Sequence, residues 1–163
     1  MQIKKGQSIV IHPDVPHCYI QGTLVECMIN SDNVVRGGLT PKYQDTKTLT
    51  EMLPYVMEKQ EPHGGINHIN DENVMFTEYK TGYKEFRVFR LLMKGASSTL
   101  ALPSFSTFST MVVIEGEGIF ESDEYGVQEL DSLSAYFMLP RMKAKVQNAT
   151  EKDLLIFLAT CDV

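Results

Sequence analysis

The chain is 163 residues long, with 43% hydrophobic residues, 22% charged residues and a formal net charge of −6. That length suits one compact domain, or one domain plus a piece of another, and buries enough surface to fold without disulfide staples. The acidic balance, a pI near 5.2 and Lys and Arg scattered without a track exclude a nucleic-acid partner, because nothing would neutralise a run of phosphates. "RMKAK" at 141–145 comes nearest to a basic cluster and reads as a solvated strand face.

Cysteines stand at 18, 27 and 161, an odd number with no CxxC. They read as reduced thiols of a cytoplasmic protein, two of them packed in strands. No stretch approaches the ~18 apolar residues of a membrane span. The opening "MQIKKGQS" is polar and has no secretory apolar core. The expectation is a cytoplasmic chain with no membrane segment.

In chain order, "QSIVIHP" alternates and then runs apolar, as a strand does. "TLVECMIN" (23–30) puts Leu24, Glu26 and Met28 on one face and Val25, Cys27 and Ile29 on the other. Glu26 then lies among apolar neighbours, unless its face lines a cavity. A short helix is expected near 46–56, capped by Asp45 or Thr46, with Leu49, Met52, Leu53 and Val56 at helical spacing. Pro54 stops it near Met52–Leu53. Its apolar side is expected to pack on a sheet.

"EKQEPHGGINHINDEN" (58–73) reads as a linker or mobile loop, and its His63 and His68 as solvated loop histidines. From Asn73 onward come "VMFTEYKTG", "YKEFRVFRLLMKG", "TLALPS", "FSTMVVIEGEGIFES", "GVQELDSLSAYFML", "AKVQNAT" and "DLLIFLATC". Turn signals separate them every ~8–15 residues, which points to a sandwich or barrel. Strands do not alternate with helices, so a doubly wound sheet is excluded.

The chemistry-bearing pattern is Gly6, then "QSIVI", the turn "HPDVP", and His17. In cupin-type jelly rolls a metal ligand follows Gly, five residues and a turn with Pro and Gly. Here Asp14 stands where Gly is usual, and Asp can supply the same turn conformation. An inward imidazole on a rigid strand would face a metal in the barrel mouth. The competing reading is a turn or core histidine held by one hydrogen bond. His12 reads as a turn residue. "MVVIEGEGIFES" resembles the central hairpin of a second cupin. The preceding "LPSFSTFST" offers hydroxyls and phenyls instead of imidazoles, so that jelly roll is expected to be metal-free, with Glu115 and Glu117 as turn residues. Glu26, Asp32, Arg36 and Lys42 lie within one short stretch. Arg36 precedes Gly37-Gly38, where the backbone can pass close to a ligand, and is placed to grip a phosphate or an anionic intermediate.

"PHCYIQGTLVECMINSDNVVRGGLTPKYQD", followed by "TLTEMLPY", resembles type I mannose-6-phosphate isomerase, and "EKDLLIFLATC" resembles the C-terminal strand of that family. The resemblance is close over 1–55, thin over 56–150, and returns over 151–161. It covers only the C-terminal portion of family members. It implies a mainly β, cupin-type jelly roll (double-stranded β-helix) with one short α-helix near 46–56. Residues 1–45 would be the tail of a catalytic cupin, 46–72 a helix and linker, and 73–163 a C-terminal metal-free jelly roll.

The resemblance also implies a site. The family holds Zn2+ with a Gln-x-His pair, a Glu and a later His; His17 matches the last, and the others have no counterpart in the chain. Arg36 matches the arginine at the reacting end of the sugar phosphate. Tyr19, Glu26, Asp32 and Lys42 match pocket-lining positions, with Glu26 a candidate base and Asp32 alternatively an ion-pair partner of Arg36 or Lys42. The implied reaction interconverts mannose 6-phosphate and fructose 6-phosphate through a cis-enediol, in GDP-mannose biosynthesis. One imidazole does not hold zinc, so the chain alone is expected to be inactive and zinc-free at that position. Self-association, or a partner carrying the N-terminal catalytic half, would complete the site. The chain would then be a piece of a longer isomerase, a short paralogue or half of a split enzyme. The alternative is a non-catalytic cupin that binds a sugar phosphate or completes a partner chain.

Overall fold

The computed structural model describes residues 1–55 and 59–161. It divides into two units, Met1–His63 and Gly64–Val163.

Among the described residues the second unit is built from ten strands. They are β1 (Ile66–Asn70), β2 (Val74–Tyr79), β3 (Arg87–Met93), β4 (Thr99–Ala101), β5 (Ser109–Glu115), β6 (Gly118–Ser122), β7 (Gly126–Leu130), β8 (Ala135–Met138), β9 (Ala144–Asn148) and β10 (Leu154–Thr160). Six form one antiparallel sheet in the order β1-β2-β3-β10-β5-β8, and four form another in the order β4-β9-β6-β7. β10 sits between β3 and β5, far from it in sequence, so the sheet closes through long-range pairing.

Period-2 alternation decides which faces meet. Leu154, Ile156 and Leu158 of β10 are buried, as are Met111 and Val113 of β5 and Phe89, Leu91 and Met93 of β3. With Val74, Phe76, Phe120, Leu130 and Val146 they form one hydrophobic cluster. Each such side chain contributes roughly 1.5–3 kcal/mol by leaving water. The β5–β6 hairpin turns at Gly116, whose φ of 88° favours glycine. A Cβ there would collide with the Asp153 carbonyl, which fixes the hairpin against the strand that follows it.

The seven segments expected as strands after Asn73 supply β2 through β10. The loop expected over 58–73 is only partly a loop, because β1 occupies Ile66–Asn70 and pairs antiparallel with β2. His68 therefore lies in a strand and not in a loop, though its side chain stays exposed. It sits at an irregularity in the β1–β2 register, and its Nε2 lies 2.7 Å from Oε2 of the buried Glu78. Arg87 holds the other Glu78 oxygen through Nε at 3.0 Å and Nη2 at 2.9 Å. Burial alone would raise the Glu78 carboxyl; the hydrogen bonds from His68 and Arg87, with their charge, outweigh it and hold it below the ordinary carboxylate range.

The first unit is different. Its helix, α1, spans Thr46–Met52 and ends where Pro54 requires. Asp45 is the N-cap, accepting from the Thr48 backbone N–H at 3.0 Å and from the Thr48 hydroxyl at 2.7 Å. The expected extension to Val56 falls outside the described residues. No α1 residue is fully buried, and Leu49 is only half-buried, so the expected burial of its apolar side against a sheet is not what fixes it.

No strand forms over "QSIVIHP" or "TLVECMIN". The ladder contact in this unit, among the described residues, is a bridge between Ser8 and His63. Alternation specifies which side of a strand is apolar but supplies no neighbouring backbone to pair with. Here Leu24, Val25, Met28 and Ile29 are all exposed, so neither face of the segment is buried in a core. Nor are the cysteines packed in strands, since Cys18 and Cys161 are exposed and Cys27 is half-buried. Among the described residues no helix is long and apolar enough to cross a membrane.

Candidate functional site

The residues singled out by sequence all lie in the first unit. The turn before His17 forms as the substitution of Asp for Gly requires. Asp14 adopts φ 63°, a left-handed conformation that Asp tolerates better than most residues. Beyond the turn, His17 Nδ1 lies 2.9 Å from the Val15 carbonyl oxygen. A carbonyl only accepts, so in the neutral imidazole Nδ1 carries the proton and the Nε2 lone pair is left for another partner. That is the tautomer in which a histidine ligates a metal through Nε2.

The His17 ring meets the Tyr19 ring edge to face, with centroids 5.8 Å apart. The Tyr19 hydroxyl donates to Glu26 Oε1 at 2.9 Å. The structure thus brings His17, Tyr19 and Glu26 into one chain of contacts across a loop of the backbone. Partial burial, then the hydrogen bond and charge of Glu26, push the Tyr19 phenol above its usual value. Glu26 itself is exposed. The strand that would have turned it inward does not form.

Among the described residues no side-chain bond joins the other candidates to this group. Arg36 is half-buried, beside Gly37 and Gly38, and Gly38 has φ 152°. Asp32 and Lys42 are exposed. Among the described residues no ion pair links Asp32 to Arg36 or Lys42, so the ion-pair reading of Asp32 is not realised. His12 is exposed in the turn, accepting at its carbonyl from Val15 N–H at 3.4 Å.

Among the described residues the donor set does not make up a zinc site. Zinc takes about four ligands, three of them from protein even where a position stays open. Among the described residues no group of three or more His, Cys, Asp or Glu side chains converges to hold a metal. His17 has the right tautomer and exposure for one corner, and nothing described supplies the rest.

No protein-family model matches the chain. Its sequence is 28% identical over 162 residues to mannose-6-phosphate isomerase of Macaca fascicularis, covering 99% of this chain and 38% of that protein. The chain is homologous to the C-terminal part of mannose-6-phosphate isomerase. The isomerase of Eremothecium gossypii matches at 30% identity over 152 residues, 89% of this chain and 34% of its own length. The chain therefore spans less than two fifths of the curated isomerases it matches. Among solved structures, a double-stranded β-helix protein from Klebsiella pneumoniae matches with a TM-score of 0.50 and 11% identity, over 58% of this chain and 82% of its own. The capsular polysaccharide assembling protein CapF of Staphylococcus aureus also matches with a TM-score of 0.50, at 14% identity over 60% of this chain and 30% of its own. These two show the fold, a cupin-type β-structure, which agrees with the jelly roll expected of the isomerase's C-terminal part.

The sequence did not single out the Glu78–His68–Arg87 cluster of the isomerase-like chain. A signal was present. In "VMFTEY" the alternation places Glu78 on the same face as Val74 and Phe76, and a carboxylate on an apolar stripe requires partners.

Proposed function

We propose that this chain is the C-terminal part of a zinc-dependent mannose-6-phosphate isomerase, with residues 1–45 forming one wall of the sugar-phosphate pocket. In this reading it works in the cytoplasm, in GDP-mannose biosynthesis. The observation that carries it is the match along 99% of the chain to isomerases more than twice its length. The grouping of His17, Tyr19 and Glu26 supports the location of the site.

Each residue has a role that follows from its chemistry. His17 offers Nε2 as one ligand of a zinc shared with donors outside this chain; when bound, that metal would polarise the open-chain oxygens of the sugar. Arg36 presents a fixed cation for the phosphate or for the charge of the enediolate. Glu26 takes the proton that moves between C2 and C1, and the Tyr19 hydroxyl holds its carboxylate in place. Asp32 and Lys42 border the same pocket. The chain alone lacks most zinc ligands and is inactive.

The test is an assay of fructose 6-phosphate formation with added zinc. It compares the chain alone with the chain mixed with a polypeptide carrying the remaining length of its relatives. Turnover is expected only in the mixture, reduced at least tenfold by Arg36→Ala, while His17→Ala lowers the zinc content of the complex. Zinc-dependent turnover by the chain alone overturns the reading. A second reading, a non-catalytic module completing a partner's barrel, is favoured by the exposed Ile20, Leu24, Met28 and Leu39 of the first unit. Complex formation without turnover would decide for it.

A further inference from the structure

The six-stranded sheet carries a trough on the face turned away from the core. Register sets Ala159, Thr110 and Phe137 side by side across β10, β5 and β8. Ala159 and Thr110 are short, so the surface dips between Phe137 on one side and Phe86, just before β3, on the other. The dip is an open cleft of about 190 Å³ whose lining includes Glu85, Phe86, Phe108, Thr110, Phe137 and Ala159, all in the second unit.

The walls of this cleft are held in place by their own contacts. Phe108 and Phe137 stack with centroids 5.0 Å apart, and the Thr160 hydroxyl donates to the Phe108 carbonyl at 3.2 Å. Phe86 stacks on Tyr83 at 6.4 Å, and its carbonyl accepts from the Thr81 hydroxyl at 3.1 Å. Rings fixed in advance lose little freedom when a ligand arrives. They are nevertheless open to solvent, with Phe137 60% and Phe108 52% exposed.

The chemistry of the lining selects the occupant. The faces of phenyl rings are electron-rich and attract a cation. Glu85 adds a carboxylate, which is exposed and, among the described residues, engaged by no ion pair or side-chain hydrogen bond. Arg87, two residues on, is bound to Glu78 instead. That carboxylate repels an anion and gains nothing from a neutral ligand. The net charge of −6 draws cations from a distance. Drug-sized ligands fill roughly 300–1,000 Å³, so this cleft admits a head group and not a nucleotide or a whole sugar phosphate.

We propose that the cleft binds a small alkylated ammonium ion, its methyl groups against Phe86, Phe108 and Phe137 and its charge toward Glu85. The proposal does not depend on the isomerase reading.

Choline, titrated into the full chain and followed by NMR of the phenylalanine rings, tests it against the neutral isostere 3,3-dimethylbutan-1-ol. Saturable shifts of the three rings with a millimolar Kd are expected, and binding of the isostere at least about fivefold weaker. Glu85→Gln should weaken choline binding about threefold or more, and Phe137→Leu about fivefold or more. Tyr125→Leu, at an exposed ring of the other sheet's β6–β7 turn, should leave Kd unchanged. If circular dichroism shows that Phe137→Leu does not fold, Phe108→Leu carries the same expectation. The absence of saturable shifts up to roughly 100 mM choline overturns the proposal, since so weak an association lies below what these contacts supply. Equal binding of the isostere also overturns it, because the cleft is then merely apolar. So does choline binding indifferent to Glu85→Gln and to the phenylalanine variants.

Discussion

"TLVECMIN" at 23–30 and "STMVVIE" at 109–115 carry the same alternation, yet only the second is a strand. β5 lies between β10 and β8, so both its edges are paired and its inward side chains meet a core. Among the described residues no strand pairs with the first segment, and Leu24, Val25, Met28 and Ile29 stay in contact with water. Strand propensity is mostly a preference for a pleated, half-buried surface, and that surface must be supplied by other strands. The two units thus show one kind of sequence in two circumstances, with its pairing partners and without them.

The sharpest way to break this comparison is to remove equal apolar groups from each unit. Leu91→Ala, at a fully buried position, should destabilise the second unit by about 2–5 kcal/mol, read as a shift in its urea midpoint. Leu39→Ala, at a position 94% exposed, should change stability by no more than about 0.5 kcal/mol. A comparable loss at both positions would show that the first unit is packed in solution.

Glu78 sharpens the contrast through pH. Its folded-state carboxyl is held below the ordinary value, so its contribution is fully present above the unfolded value of ~4.3 and is lost as pH falls through the folded one. Glu78→Gln should cost about 1–3 kcal/mol at neutral pH, because the Arg87 guanidinium and the His68 ring lose their charged acceptor. The difference between the variant and the parent should shrink on acidification below that range. A penalty that stays constant from neutral pH to strong acid would refute the assignment. A more local effect belongs to Asp45→Ala, which removes the α1 cap and should lower the helical ellipticity of the chain while leaving the second unit's unfolding midpoint in place.

Much of the second unit was legible because its signals are local and mutually consistent. Turn residues punctuate it, apolar alternation marks each strand, and the β5–β6 turn sits on a glycine that only glycine fits. β1 was misread because "INHIN" is polar and follows Gly-Gly. What makes it a strand is the exposed edge of β2, a tertiary fact. In the candidate site the turn at Asp14 was readable from residue type alone, as was the Asp45 cap. The inward placement of Glu26 was not, because it presupposed a strand whose partners are not among the described residues.

The bridge between Ser8 and His63 has its own consequence. It consists of two backbone hydrogen bonds of 2.9 Å and a contact of 3.0 Å between the Ser8 hydroxyl and the His63 ring, between residues 55 apart. Closing a flexible loop that long costs roughly 3.5 kcal/mol from the logarithmic length term alone. Two or three such bonds return about 1 kcal/mol each. These bonds alone thus offset a large part of that cost, and anything that orders the chain between them would reduce it further. Exchange of the Ser8 and His63 amides would report such ordering directly.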